Sequence, residues 1–151
     1  MRVNIAYFLT PKNSVSYLYD DFTFRQGLEK MRRHGYSAIP VIARDGAYLG
    51  TVSEGDFLWR LLDTEDARDA ALTKKAAEKL RVQDLLRDNT YTPVPITASM
   101  EQLLSLALNQ NFIPVVDDLG KFIGIVTRKD LLSRLCRQVD LLSEAQLQKI
   151  V

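Results

Sequence analysis

The stretch FIPVVDDLGKFIGIVTRKDLL, residues 112–132, reads as strand, turn, strand, polar corner and helix start. Val115 and Val116, fenced by Pro114 and by the turn residues Asp117, Asp118, Leu119 and Gly120, spell a short buried strand, and residues 122–126 supply its hairpin partner. Thr127, Arg128, Lys129 and Asp130 then form a polar corner where strand gives way to helix. The first N–H groups of a helix have no partner within it, and its dipole favours an anion. Such a corner can hold a phosphate with Thr127 and Arg128 assisting, while Asp130 can accept hydrogen bonds from a ribose diol. The plainer reading is that Thr127 caps the helix and Asp130 completes the cap.

A repeat bears on that choice. A shift of 74 positions, which carries Pro40 onto Pro114, aligns YSAIPVIARDGAYLGTVSEGDFLWRLL (36–62) with QNFIPVVDDLGKFIGIVTRKDLLSRLC (110–136) without a gap. Val41 meets Val115, Gly46 meets Gly120, Gly50 meets Gly124, Val52 meets Val126, Ser53 meets Thr127, Asp56 meets Asp130 and Arg60 meets Arg134. Two copies of one supersecondary unit follow. Capping explains a hydroxyl at both corners but does not demand an Asp three residues later in both.

Composition narrows the function classes. A chain of 151 residues buries enough surface to fold without a staple or metal, as one domain or two small fused halves. Twenty basic against nineteen acidic residues argue against a general nucleic-acid or anionic-membrane surface. Cys136 is the sole cysteine, so an internal disulfide or cysteine metal cluster is excluded, and its place among Leu131, Leu132 and Leu135 predicts a buried helix position. No leader pattern and no apolar run near the ~20 residues that span a bilayer is present, which predicts a cytoplasmic protein. The one histidine, His34, follows Arg32 and Arg33 at a helix end and reads as a cap or a solvated group. Neither a nucleophile with its base nor a spaced set of metal ligands is present, and the reading is no enzyme and no cofactor.

Taken in order, residues 4–9 predict a short helix closed by Pro11, matched by residues 82–86. Residues 15–19 predict a strand, and 91–96 a weaker one because Pro93 and Pro95 keep it from a central ladder. Phe24, Leu28 and Met31 give residues 22–34 helical spacing, with Thr23 at the start and Gly35 as a left-handed stop. The second copy of this helix is expected over 97–109, starting at Thr97, with one residue missing near 109–111. Tyr36 to Ile42 and Tyr48 to Val52 form the first hairpin, and Ser53 caps a helix over 54–62 in which Trp59 serves either core or interface. Residues 64–80 read as a solvated helical linker, or else as a charged partner surface. After Asp130 helix continues through 142, and Ser143 begins a terminal helix with Leu147 and Ile150 as anchors.

The repeated hydrophobic-Pro-Val strand, the Gly-x-x-Ser/Thr-x-x-Asp corner and the helix after it make the chain resemble tandem CBS-domain proteins, the Bateman module, over almost its whole length. The resemblance implies an α/β (α+β) fold of two βαββα halves related by a pseudo-two-fold, with domains at 1–63 and 81–142 and a C-terminal helix at 143–151. It implies a cleft for an adenine nucleotide built from Tyr36, Ser37, Ala38 and Pro40 with Thr127, Arg128, Lys129 and Asp130, edged by Val15 and Ser16. A second cleft would join Asn111, Phe112 and Pro114 to Ser53 and Asp56. There Glu54 and Gly55 replace Arg128 and Lys129, so phosphate is expected to favour the Thr127 cleft. A homodimer and a regulated protein partner are implied as well. The stand-alone layout looks like the small bacterial members that bind cyclic di-AMP, except that Lys129 replaces the second of their twin arginines. AMP, ADP and ATP therefore stay open as ligands. The competing reading is a protein-interaction module with vestigial clefts.

Overall fold

The structure is a computed structural model and describes residues 4–63, 75, 78–87 and 91–150. The linker expected over 64–80 lies largely outside them, as do the side chains of Leu147 and Ile150. The chain runs β1 (Thr10–Pro11), β2 (Leu18–Tyr19), α1 (Phe24–His34), β3 (Ala38–Ile42), β4 (Tyr48–Ser53), α2 (Glu54–Leu62), β5 (Val94–Pro95), α3 (Met100–Ala107), β6 (Phe112–Val116), β7 (Phe122–Thr127) and α4 (Arg128–Ile150). From β2 to α2 and from β5 to α4 the order is βαββα, the mixed α/β architecture expected from the repeat.

Each hairpin has the same register. Ala38 faces Ser53 and Val41 faces Gly50 in one, Phe112 faces Thr127 and Val115 faces Gly124 in the other, and a bulge follows the valine in both. Short parallel strands, β2 on β3 and β5 on β6, complete the two sheets. Pro95 sits in β5 at a sheet edge, where a missing N–H costs no ladder bond.

The lead-in segments are exchanged between halves. Ile5 and Phe8, in the turn of 3-10 helix Ile5–Tyr7 and just after it, are buried with Val94, Leu103, Ile113, Val126 and Leu131 of the second half. Val82 and Leu85, from the matching turn Val82–Leu85, are buried with Leu18, Phe24, Met31, Val52 and Phe57 of the first. β1 then joins the far sheet, Thr10 facing Ile125 and Pro11 facing Gly124, in the order β1-β7-β6-β5. A Cβ on Gly124 would lie 2.3 Å from the Thr10 carbonyl oxygen, so glycine here admits the incoming strand.

The helices before the hairpins differ at both ends. Thr23 caps α1 with a full capping box to Gln26, and Gly35, at φ 66°, closes it while the Tyr36 N–H donates to the Met31 carbonyl. α3 starts at Ser99, not Thr97, because only Ser99 has a glutamine three residues on to close a box. From cap to strand the chain runs from 23 to 38 in one copy and from 99 to 112 in the other, so two residues are missing rather than one. Two further expectations are corrected. α4 runs unbroken through Ser143, and Cys136 is exposed because the turn that begins α4 sends Leu131 inward and leaves Leu132 and Cys136 outside.

Candidate functional site

The halves meet along two clefts. Hairpin tips touch at Ala47 and Lys121, and the Tyr48 N–H donates to the Gly120 carbonyl while the Phe122 N–H donates to that of Gly46. Beyond this seam the sheet edges splay, leaving one cavity beside Thr127 and one beside Ser53.

The Thr127 cleft, about 350 Å³, is lined by Val15, Ser16, Tyr36, Ser37, Ala38, Pro40 and Thr127, all expected there, and also by Thr10, Ser14, Gly35, Asn111, Phe112 and Ile125. Asn111 and Phe112 were expected in the other cleft. The Phe112–Thr127 pairing across β6 and β7 holds them here instead. Its lining mixes apolar residues with hydroxyl and amide side chains, and among the described residues lining it none carries a charge. His34 lies over the Tyr36 ring at the mouth, their centroids 5.7 Å apart and nearly parallel.

Thr127 acts as a cap, its Oγ1 accepting from the Asp130 N–H at 3.1 Å. The first amide of α4, on Arg128, is also spoken for: it donates to the Asn111 carbonyl, as Glu54 does to Ser37 in the other copy. The Arg128 guanidinium is turned away from the cleft. Its Nε donates to the Ala107 carbonyl at 2.7 Å and an Nη to that of Gln110 at 3.0 Å. The cause lies in the shortened helix before it: α3 has no glycine at its end, and Arg128 satisfies carbonyls there. Arg128 and Lys129 instead border an outer hollow with Leu132, Cys136 and Arg137. Asp130 lines an adjoining hollow that shares Thr10 with the cleft and also holds Arg134 and Arg137.

The Ser53 cleft, about 510 Å³, contains Ser53 and Asp56 as expected, together with Ala38, Thr51, Arg87, Tyr91, Thr92, Leu106, Asn109 and Gln110. Pro114 lines neither cleft and is buried in β6 opposite Ile125. Asp56, 7% exposed, accepts from the Ser53 N–H at 2.8 Å, from the Ser53 hydroxyl at 3.1 Å and from the Arg87 guanidinium. Gln110 is buried and bridges the Thr92 N–H and carbonyl to the Phe112 carbonyl. Glu54 is exposed and lines no part of this cleft, so the charged groups in its lining are the paired Asp56 and Arg87.

Tyr91 joins the two clefts. Its backbone has φ 33°, its ring lies 4.8 Å from that of Phe112, its hydroxyl accepts from the Asn111 N–H and its carbonyl accepts from the Tyr48 hydroxyl. Burial pushes the Tyr48 phenol above its ordinary range. Arg87 and Gln110 went unread as site residues in the sequence, although Arg87 follows residues 82–86 as Thr10 follows residues 5–9, and Tyr91 was read only as part of the lead-in strand 91–96.

Comparison with known proteins agrees with this geometry. An uncharacterized protein of Methanocaldococcus jannaschii is 26% identical over 141 residues, 78% of this chain and 84% of its own. The structure is similar to that of the CbpB protein of Listeria monocytogenes in complex with cyclic di-AMP, with TM-score 0.79 and 22% identity, covering 92% of this chain and 99% of that one. It is similar also to CBSX2 of Arabidopsis thaliana, solved in complex with AMP, with TM-score 0.68 and 25% identity, covering 91% of this chain and 98% of that one. The CBS domain pattern matches residues 9–63 and again 82–137, and the chain belongs to the CBS domain family as a tandem pair.

Proposed function

We propose that the protein is a non-catalytic regulatory module of the cytoplasm that binds an adenine nucleotide in the Thr127 cleft and passes its occupancy to a partner protein. The observation that carries the reading is the contrast between the two aspartates of the repeat. Asp56 is consumed by Ser53 and Arg87, whereas at Asp130 only the backbone N–H joins the cap and the carboxylate borders the hollow next to the cleft. A carboxylate in that position can accept from both hydroxyls of a ribose, and Phe112, Pro40 and Ile125 offer an apolar slot for a base. The ligand is AMP, ADP or ATP, or cyclic di-AMP. The structural neighbours in complex with AMP and with cyclic di-AMP support that class.

The active assembly is a homodimer. Leu58, Trp59 and Leu62 on α2 and Leu132 on α4 are exposed, Trp59 by 60%, and Leu58 and Leu132 are repeat partners that place matching apolar surface on both halves. The same surface favours a second reading, an interaction module that needs no ligand. A thermal-shift panel of AMP, ADP, ATP, cyclic di-AMP and cyclic di-GMP separates the two. A ligand at 100 times its Kd raises stability by about 2.7 kcal/mol. The nucleotide reading expects a shift for at least one adenine ligand, lost in Asp130→Asn. A flat panel with an intact dimer in sedimentation leaves the interaction module standing.

A further inference from the structure

We propose that Tyr91, which lines the Ser53 cleft, is a positioning residue for the Thr127 cleft: it holds the Phe112 face of the base slot and carries the slot's occupancy through the wall to Thr92. The proposal rests on the nucleotide-binding reading of the Thr127 cleft and adds the route by which binding there is felt on the far side.

Residues 109–112 form the wall between the clefts. Asn109 and Gln110 line the Ser53 cleft, whereas Asn111 and Phe112 line the Thr127 cleft. Tyr91 stands on the Ser53 side, yet its side chain engages the two residues that belong to the other cleft. Its ring lies 4.8 Å from that of Phe112, inclined at 60°, and its hydroxyl accepts from the Asn111 N–H at 3.2 Å. The next residue, Thr92, is clamped to the same wall: its N–H donates to Gln110 Oε1 at 2.9 Å, and its carbonyl accepts from Gln110 Nε2 at 3.2 Å. The Tyr91 carbonyl accepts from the Tyr48 hydroxyl at 2.9 Å. These anchors hold a bulky aromatic residue at φ 33°, a backbone conformation that such residues avoid.

The repeat shows that the unit does not need that strain. Leu18 faces Val41 as Val94 faces Val115, so Val15 is the counterpart of Tyr91, and Val15 is extended at φ −116°. Ala38 stands where the second copy has Phe112, so the first copy builds the same wall with no ring at either position. The strained tyrosine is a feature of one copy, kept by contacts with residues that line the opposite cleft. A base that fixes Phe112 from the cleft side therefore favours the held form of Tyr91, and the held form favours the base by the same factor.

The test is calorimetric titration of the full chain with AMP and with cyclic di-AMP, alongside amide hydrogen exchange at Asn111 and Thr92, in wild type, Tyr91→Phe and Tyr91→Leu. Tyr91→Phe keeps the ring and loses the hydroxyl, and should weaken the bound nucleotide about threefold to tenfold, the span of one hydrogen bond. Tyr91→Leu loses the ring as well and should weaken it further. In wild type, saturating nucleotide should slow exchange at Thr92 as well as at Asn111, and in Tyr91→Phe the Thr92 response should fall by at least half. A tyrosine that only fills space would lower the melting temperature of the variants and leave Thr92 blind to ligand. Affinity within twofold of wild type in both variants, a wild-type Thr92 amide unchanged at saturation, or a Thr92 response of full size in Tyr91→Phe overturns the proposal and leaves the nucleotide reading standing. If neither nucleotide binds wild type, that reading fails and the proposal falls with it.

Discussion

Ser53 and Thr127 stand at the same corner of one repeat, yet the two corners are wired differently. At Ser53 the capping box is closed on both sides and sealed by Arg87. At Thr127 only half of the box is made, and the nearby guanidinium of Arg128 is committed to the end of α3. The difference traces to two small changes in sequence. Loss of two residues and of a glycine before β6 leaves carbonyls that Arg128 takes up, while the first copy closes its helix with Gly35 and carries Glu54 in place of an arginine. A cap solved by backbone in one copy and by side chain in the other decides which charges face which cleft.

The contrast can be broken most severely at Gly124. Gly124→Ala places a methyl against the Thr10 carbonyl and the Leu9 side chain, so β1 must move off β7. A loss of about 2–3 kcal/mol in urea unfolding is expected, with the Thr127 cleft failing before the Ser53 cleft because Thr10 belongs to the former. Equal weakening of both clefts would show that the N-terminal strand does not distinguish them.

Next in size is the pair of aspartates. Asp56→Ala removes the buried partner of the Ser53 cap and a carboxylate bonded to Arg87, and should cost about 2 kcal/mol. Asp130→Ala, on an exposed residue, should change stability by less than about 0.5 kcal/mol while weakening ribose-bearing ligands. Denaturation and titration of the two variants side by side give four numbers, and a reversed order in either measurement removes the asymmetry argued above.

Arg128→Ala is expected to act on stability, by about 1–1.5 kcal/mol, through the carbonyls of Ala107 and Gln110, and to leave the affinity for AMP within twofold. A variant of normal stability with weakened AMP binding would put Arg128 back into the cleft as the sequence alone suggested.

The mildest change makes the seams alike. Tyr48 corresponds to Phe122 in the repeat, and Tyr48→Phe should cost about 1 kcal/mol near neutrality for its bonds to Thr51 and the Tyr91 carbonyl. The alkaline behaviour carries a sign. The folded phenol stays neutral where the unfolded one ionises near its ordinary 10.0, so the unfolded chain binds fewer protons and wild-type stability falls above about pH 10. The phenylalanine variant should lose less over that range, and parallel curves would show that the Tyr48 phenol is not held neutral.

Much of the fold was legible because the repeat and the caps carry their own mechanism. Pro40 and Pro114, Gly50 and Gly124, Ser53 and Thr127 marked both hairpins and both corners. Thr23 and Gly35 bracketed α1. The start of α3 was missed by two residues because Thr97 and Ser99 are both cap residues and only the partner at Gln102 tells them apart. The clefts were half legible. Strand and corner residues follow from register, but Arg128 chooses between a cavity and a carbonyl by three-dimensional competition. Arg87 enters its cleft only because the lead-in turns are traded between halves, which periodicity cannot show. Cys136 looked buried inside a leucine-rich run, yet its repeat partner Leu62 is exposed as well, and the repeat was the better guide.

That trade sets an order of events during synthesis. When the first half has left the ribosome, its core still lacks Val82 and Leu85, and Ile5, Phe8 and β1 have no partner until β7 appears more than a hundred residues later. Neither half can therefore complete its core alone, and the contacts that finish the protein join its most distant segments, the topology that slows folding and lengthens exposure of apolar surface. A nascent chain of this kind keeps apolar core surface uncovered until its last hairpin is made, and a cut between the halves yields two incomplete pieces that must find each other.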